Sequence, residues 1–396
     1  MRNKLSLPSA AEPTRHLYFV NGPVDFACIG GASLVAFAVI GASFGAGSVR
    51  AEWLWGLAAL LTWVCNYPHF AATSHRLYHR REHIAQFPFT ALVVPPLIVA
   101  GMIGSFASPD VVAPFFVKLF LLWSGYHYSG QTVGITLIYA RRAGFVATGS
   151  ARLALSGFVF GTYLTTIARA EAALGAQAFY GIQCPTLGLP RFVAVLAEHA
   201  MWTCGAVFLL LAAGWCVKQR RLLPPVVLLP AASQFVWFIA GAGDPNFAVF
   251  VPFFHSLQYL LIAWATHVKE RMELSGAEPT RSLVLGESAK WGALIVPAGA
   301  LLFWMLPHAL ASSTGTGFQF AAPVVLAGVQ IHHFFVDGVI WKLKNPRAAS
   351  PLHASVGDYL KAAPRRAPAA EVSPAAAPAA ARVEVRQGLP APAQTA

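Results

Sequence analysis

The sequence predicts an all-α, polytopic transmembrane helix bundle of about ten spans, with both chain ends on the inner side. Three observations carry that expectation. The 396-residue chain is 56% hydrophobic and 11% charged, with mean hydropathy +0.57, whereas soluble domains carry about 25% charged residues. Its apolar residues come in runs of about 20, the length that crosses a hydrocarbon core as a helix. Its Lys and Arg residues fall almost entirely between alternate runs.

Residues 1–25 are polar, carry Arg2, Lys4 and Arg15, and lack the apolar core of a cleavable signal. They read as a cytoplasmic N-terminal segment, and the first apolar run as a retained anchor. Within a membrane domain of 26–345, spans are expected over 26–47, 53–73, 87–107, 111–138, 152–168, 192–216, 222–242, 246–268, 289–306 and 320–341. With the N-terminus inside, 24 of the 28 Lys and Arg residues lie on the inner side, leaving Arg50, Lys118, Arg169 and Arg191 at or near the outer face. Basic residues concentrate on the cytoplasmic side of membrane proteins, which selects this orientation. The net charge of +12 is then mostly a topology signal, and no nucleic-acid partner is expected. From 346 to 396 the chain is Ala/Pro-rich, as at Pro374-Ala375-Ala376-Ala377-Pro378, and reads as a disordered cytoplasmic tail. Of the five cysteines, only Cys184 falls in an outer loop, so no external disulfide framework is available. The chain has no CxxC, Walker or GxGxxG motif.

Ionisable groups inside a bilayer are costly and mark function. Four spans carry histidine in polar company: Asn66-Tyr67-Pro68-His69, Tyr126-His127-Tyr128-Ser129-Gly130-Gln131, His255-Ser256-Leu257-Gln258-Tyr259, and Ile331-His332-His333-Phe334-Phe335-Val336-Asp337. All four lie on the even-numbered spans, which run from outside to inside. Counted from the first inner basic residue at ~1.5 Å per residue, His127 and His255 lie roughly 21 Å deep, His332 and His333 roughly 15 Å, and His69 roughly 10 Å. Agreement in depth among four helices points to one shared site. His127/Gln131, His255/Tyr259 and His333/Asp337 are each four residues apart and share a helix face. A metal-bound imidazole usually donates its other N–H to a polar partner, which assigns orienting or proton-relaying roles to Asp337, Gln131, Gln258 and Tyr259. His332 and His333 point about 100° apart and do not suit one ion together. Beyond the second span, His75, His79 and His83 repeat at the same helical spacing, and His267 ends the eighth. With His69 they are candidates for a second, shallower metal cluster.

Plainer readings compete. A single intramembrane histidine is more often a helix–helix hydrogen bond than a ligand; four at matched depth weigh the other way. The His75/His79/His83 run, interleaved with Arg76, Arg80 and Arg81, also suits a basic helix lying on anionic headgroups. Pro95-Pro96, Pro252 and Pro297 read as helix kinks. The aromatic content suits lipid-facing surface and interfacial belts.

In these histidines the chain resembles the integral-membrane, histidine-rich iron oxygenases: the fatty-acid desaturases and hydroxylases, or the bacterial membrane β-carotene dioxygenases. His75–His79 and His79–His83 match the HxxxH box, while Gln330-Ile331-His332-His333 is one residue short of QxxHH and a third box is absent. The resemblance covers the histidine motifs and not the whole chain. It implies a non-haem iron oxidoreductase in a bacterial cytoplasmic membrane, acting on a lipid or other apolar substrate, with an electron-donor protein as partner. Imidazole suits iron, and vacant coordination positions admit dioxygen. Two alternatives stay open. One is haem held by His127 and His255 at equal depth. The other is a proton- or ion-coupled transporter that uses Asp337 and the histidines as a relay.

Overall fold

The computed structural model describes residues 17–45, 50–276, 280–341 and 355–361. They are helical almost throughout. In chain order the helices are α1 (Gly22–Phe44), α2 (52–78), α3 (Arg81–Gln86), α4 (Phe89–Ala107), α5 (Val112–Arg142), α6 (Gly149–Ala170), α7 (Arg191–Gln219), α8 (Pro225–Ala240), α9 (Pro245–Ser275), α10 (Arg281–Thr314), α11 (Phe318–Ile340) and α12 (Val356–Lys361). The expected all-α class holds, with one two-stranded antiparallel hairpin, β1 (Ala176–Phe179) and β2 (Ile182–Pro185), among the described residues. Tyr180 and Gly181 turn it with φ of 48° and 85°, the paired positive values of a tight hairpin turn.

Local chemistry sets the helix ends. Asn21, Thr148 and Thr280 accept backbone N–H groups of the first turns of α1, α6 and α10, which satisfies donors that have no intrahelical partner. Five helices contain a widened π-turn, over 27–31, 62–66, 89–93, 236–240 and 301–305. Three of these precede a proline by two residues: Pro68, Pro95 and Pro307. A proline ring collides with the carbonyl four residues back, here that of Val64, Ala91 or Phe303, and the extra residue in the turn gives it room.

Seven helices are long and apolar enough to cross a membrane: α1, α4, α6, α7, α9, α10 and α11. Each of the ten expected spans falls on a helix, but α2 and α5 are interrupted by polar residues and α8 is shorter. The ninth span starts earlier than expected, at Arg281. Large apolar side chains point outward around the bundle, including Trp53, Phe115, Leu153 and Leu210, as surface facing hydrocarbon would. Seven such helices and this outward apolar face make the chain a multi-pass membrane protein.

Two expected boundaries shift. The polar segment expected over 1–25 gives way to α1 at Gly22, and Phe19 and Asp25 are fully buried. Asp25 is a buried acid that sequence reading left in a polar leader. Its carboxylate accepts the N–H groups of Phe19 (2.6 Å), Val20 (2.9 Å) and Asn21 (3.2 Å) and the hydroxyl of Tyr139 (2.6 Å). Such multiple donation offsets the cost of burying the group. In the tail, α12 docks on the bundle, with Val356 fully buried and its N–H donating to Phe19 O at 2.8 Å. An apolar Val-Gly-Asp-Tyr-Leu patch inside the Ala/Pro-rich stretch makes that contact possible. The disorder expected for 346–354 and 362–396, and the polar segment 1–16, lie outside the described residues.

Lys118 and Glu171 form a buried ion pair between α5 and the residue capping α6. Glu171 also accepts the N–H of Leu187 at 2.9 Å, tying the loop after the hairpin to the helix ends.

Candidate metal centre

α2, α5, α9 and α11 each deliver one histidine to a common point. His69, His127, His255 and His333 are buried, and one nitrogen from each lies within 4.8 Å of the other three. His333 Nε2 is 3.0 Å from His69 Nε2 and 3.0 Å from His127 Nε2. Metal–imidazole bonds run about 2.0–2.1 Å, so donors on opposite sides of one ion are about 4.2 Å apart. The four nitrogens therefore close on a single cation with small adjustments.

Hydrogen bonding assigns the bare nitrogen on two of the four rings. Ser256 donates its hydroxyl proton to Asn66 Oδ1 at 2.7 Å. Its oxygen is thus left to accept from His69 Nδ1 at 2.8 Å, which puts the ring proton on Nδ1 and a lone pair on Nε2. Thr73 Oγ1 lies 3.0 Å from His333 Nδ1 and directs its own proton toward the Tyr259 hydroxyl at 2.5 Å. His333 then also carries its proton on Nδ1. Two bare nitrogens 3.0 Å apart, with His127 Nε2 at the same distance on the other side, repel one another unless a cation or a shared proton lies between them.

Asp337 completes the charge. Its Oδ2 is 3.4 Å from His333 Nε2 and 3.8 Å from His127 Nε2, while Oδ1 accepts the indole N–H of Trp341 at 3.2 Å. The carboxylate thus approaches the same side of the rings as the converging lone pairs. Of the two roles expected of Asp337, orienting a ligand or relaying protons, the contact to His333 Nδ1 is made by Thr73 instead, because the helix turn that aligns the two side chains brings the carboxylate to Nε2.

Other pairings also change. Gln131 reaches across to His255, with Nε2 3.2 Å from Nδ1 and 3.1 Å from the carbonyl oxygen, instead of serving His127 on its own helix. Tyr259 stacks on His69 at 4.2 Å instead of serving His255. Gln258 donates to Ile29 O at 2.6 Å, which fixes α9 against the open turn of α1. His332 faces away, bonded to the Tyr78 hydroxyl at 2.9 Å, as the angle between adjacent residues requires.

The shallower histidines do not join the centre. His75 and His79 stack at 4.7 Å, and His75 lies 6.0 Å from His267, ring to ring. The Nδ1 atoms of His79 and His83 donate to carbonyls at the end of α2, His79 to His75 O and His83 to Arg76 O, each at 2.8 Å. Among the described residues, no three nitrogens of this group converge as the four deeper ones do.

Aromatic rings wall the site. Tyr128 stacks on His255 at 3.6 Å and Phe334 on His127 at 4.7 Å. Three of the four histidines precede an aromatic residue in the chain, Phe70, Tyr128 and Phe334, a signal present in the motifs and easily passed over. Thr73 is the contact residue that sequence reading missed, while Asn66 and Ser256 stood in the motifs without an assigned role. Thr73 lies one turn beyond His69, the same spacing used to find the other partners.

No protein-family model matches the chain, nor does any curated protein or solved structure.

Proposed function

We propose that this protein is a membrane-embedded, metal-dependent oxidoreductase whose centre is non-haem iron held by His69, His127, His255 and His333 and acting on a lipid or other apolar substrate. The observation that carries the reading is the convergence of four buried imidazoles, on two of which, His69 and His333, the opposite nitrogen is committed to Ser256 and Thr73. A core histidine kept only for helix packing needs no such arrangement. The resemblance to membrane iron oxygenases points the same way.

Iron with vacant positions supplies electron transfer and dioxygen activation when bound. The chain's own residues do the rest. The four imidazoles hold the ion, Ser256 and Thr73 keep their tautomers, and Asp337 offsets positive charge. Phe70, Phe334 and Tyr128 exclude water. Haem is the weaker reading, because the His127 and His255 ring centroids lie only 5.3 Å apart and His69 and His333 converge on the same point.

Orientation belongs to the same proposal: ten crossings in a bacterial cytoplasmic membrane, with both described chain ends inside. The Val356–Phe19 hydrogen bond supports an even number of crossings, which the seven most apolar helices alone do not give. Reductant then arrives from an electron-donor protein at the basic inner face.

Metal analysis with an absorption spectrum on detergent-purified protein tests the centre. About one iron per chain without a Soret band is expected, and His333→Ala or His127→Ala should lower that stoichiometry. A Soret band would favour haem. Metal-free wild-type protein, or full occupancy in both variants, would leave transport by an Asp337–histidine relay as the better account.

A further inference from the structure

A cavity of about 300 Å³ runs beside the histidine centre, between α5, α9 and α11. Its α5 wall is one continuous helical stripe from Trp123 to Ile138 that includes His127 and Gln131. At ~1.5 Å per residue the stripe is roughly 22 Å long. Asp337 and Tyr259 line the cavity as well, so it reaches the same carboxylate that faces the imidazoles.

Glycine keeps it open. Gly130 and Gly134 on α5 and Gly338 on α11 all line the cavity, and a Cβ at any of them would meet no atom within 4 Å. Some helical glycines elsewhere serve close packing, since a Cβ at Gly125 would lie 2.2 Å from the Tyr163 ring and one at Gly328 2.7 Å from Met102, while others such as Gly41, Gly56 and Gly214 also meet nothing. At the three lining positions the absent side chain leaves its space to the cavity. Gly130, Gly338 and Tyr126 are exposed on the outward face of the bundle, so the cavity opens sideways, toward lipid.

Charge marks one end. Arg141 lies three residues beyond Ile138 on the same face of α5 and is exposed. On the proposed orientation it sits at the inner surface, where basic side chains attract anionic headgroups.

We infer that this cavity binds one acyl chain of an anionic membrane lipid, with the headgroup at Arg141 and the chain laid along the Gly130–Gly134 floor past His127. The inference rests on the oxidoreductase reading and supplies its substrate class. The surrounding bilayer provides such chains directly through the lateral opening, and a cavity near the lower limit of ligand sites suits one chain. Arg141 and His127 are fourteen residues apart, so the segment of chain beside the centre lies about 21 Å from the headgroup.

The test uses full-length protein in nanodiscs and a phosphatidylglycerol probe with a photoreactive group near the end of one acyl chain. Crosslinks should map to α5 near His127 or to Phe334. Gly134→Leu should reduce them about tenfold or more without loss of metal or thermal stability, because the new side chain enters open space. Arg141→Gln should remove the preference for phosphatidylglycerol over phosphatidylcholine probes. Crosslinks that are unchanged in Gly134→Leu, or that form equally with a neutral polyisoprenoid probe, would overturn the lipid assignment. If the wild type retains its iron, either result leaves the metal centre standing. Loss of the metal reading would show separately, as absent iron in the wild type.

Discussion

The bare nitrogens of His69 and His333, 3.0 Å apart, are held there by groups behind them. His69 and His333 cannot turn their protons inward without abandoning Ser256 and Thr73, and in a dry interior an unsatisfied partner costs about 1–3 kcal/mol. Replacing the partner should therefore act on the metal through the ring. Ser256→Ala and Thr73→Val are expected to weaken metal affinity about 10–100-fold while leaving all four ligands in place. His332→Ala, whose ring bonds Tyr78, should leave affinity unchanged. A competitive chelator titration separates the three; equal affinity in all of them would remove the tautomer argument. The histidines were legible in the sequence because ionisable residues stand out against apolar runs. Their hydroxyl partners were not, since Ser and Thr are ordinary in membrane helices and which of them meets a given ring depends on the rotation of a different helix.

Helix geometry delivers that rotation. In α2 the π-turn over 62–66 makes room for Pro68 and sets the facing of His69 one residue later. Against it lies Gly299 of α10, where a Cβ would stand 2.7 Å from the carbonyl carbon of Tyr67 and 2.9 Å from Pro68 N. Both are backbone atoms and cannot swing aside. Gly299→Leu should then cost about 1–3 kcal/mol by overpacking and displace His69, lowering melting temperature and metal content together. Gly134→Leu is the contrasting variant, since a helix gains about 1 kcal/mol when a glycine that packs against nothing is replaced. Similar melting temperatures for the two would mean that the α2–α10 approach does not position the site. The apolar runs made the helices readable, whereas the widened turns were not. Proline hinted at a kink at Pro95-Pro96, but whether a helix breaks, bends or widens depends on what packs beside it.

On the scale of the whole molecule, buried charges fasten the bundle at opposite ends of α5. Lys118 meets Glu171 near its first turns, and Tyr139 in its last turns donates to Asp25. Asp25 also gathers the backbone of 19–21, and Phe19 in turn accepts Val356 N–H from the docked tail helix. The described chain ends are therefore on one side of the bundle. That contact constrains topology more firmly than hydropathy does, because hydropathy discounts α2 and α5 for the polar residues that build the centre. Chain ends on one side require an even number of crossings, and ten satisfies this while seven does not. Reporter fusions after residue 20 and after residue 361 should accordingly report the same compartment, the cytoplasm. A fusion in the loop after the β-hairpin, near residue 187, should report the opposite one. If the two end fusions disagree, the crossing number is odd. The orientation, the inner position of Arg141 and the common depth of the four histidines would then all have to be reassigned.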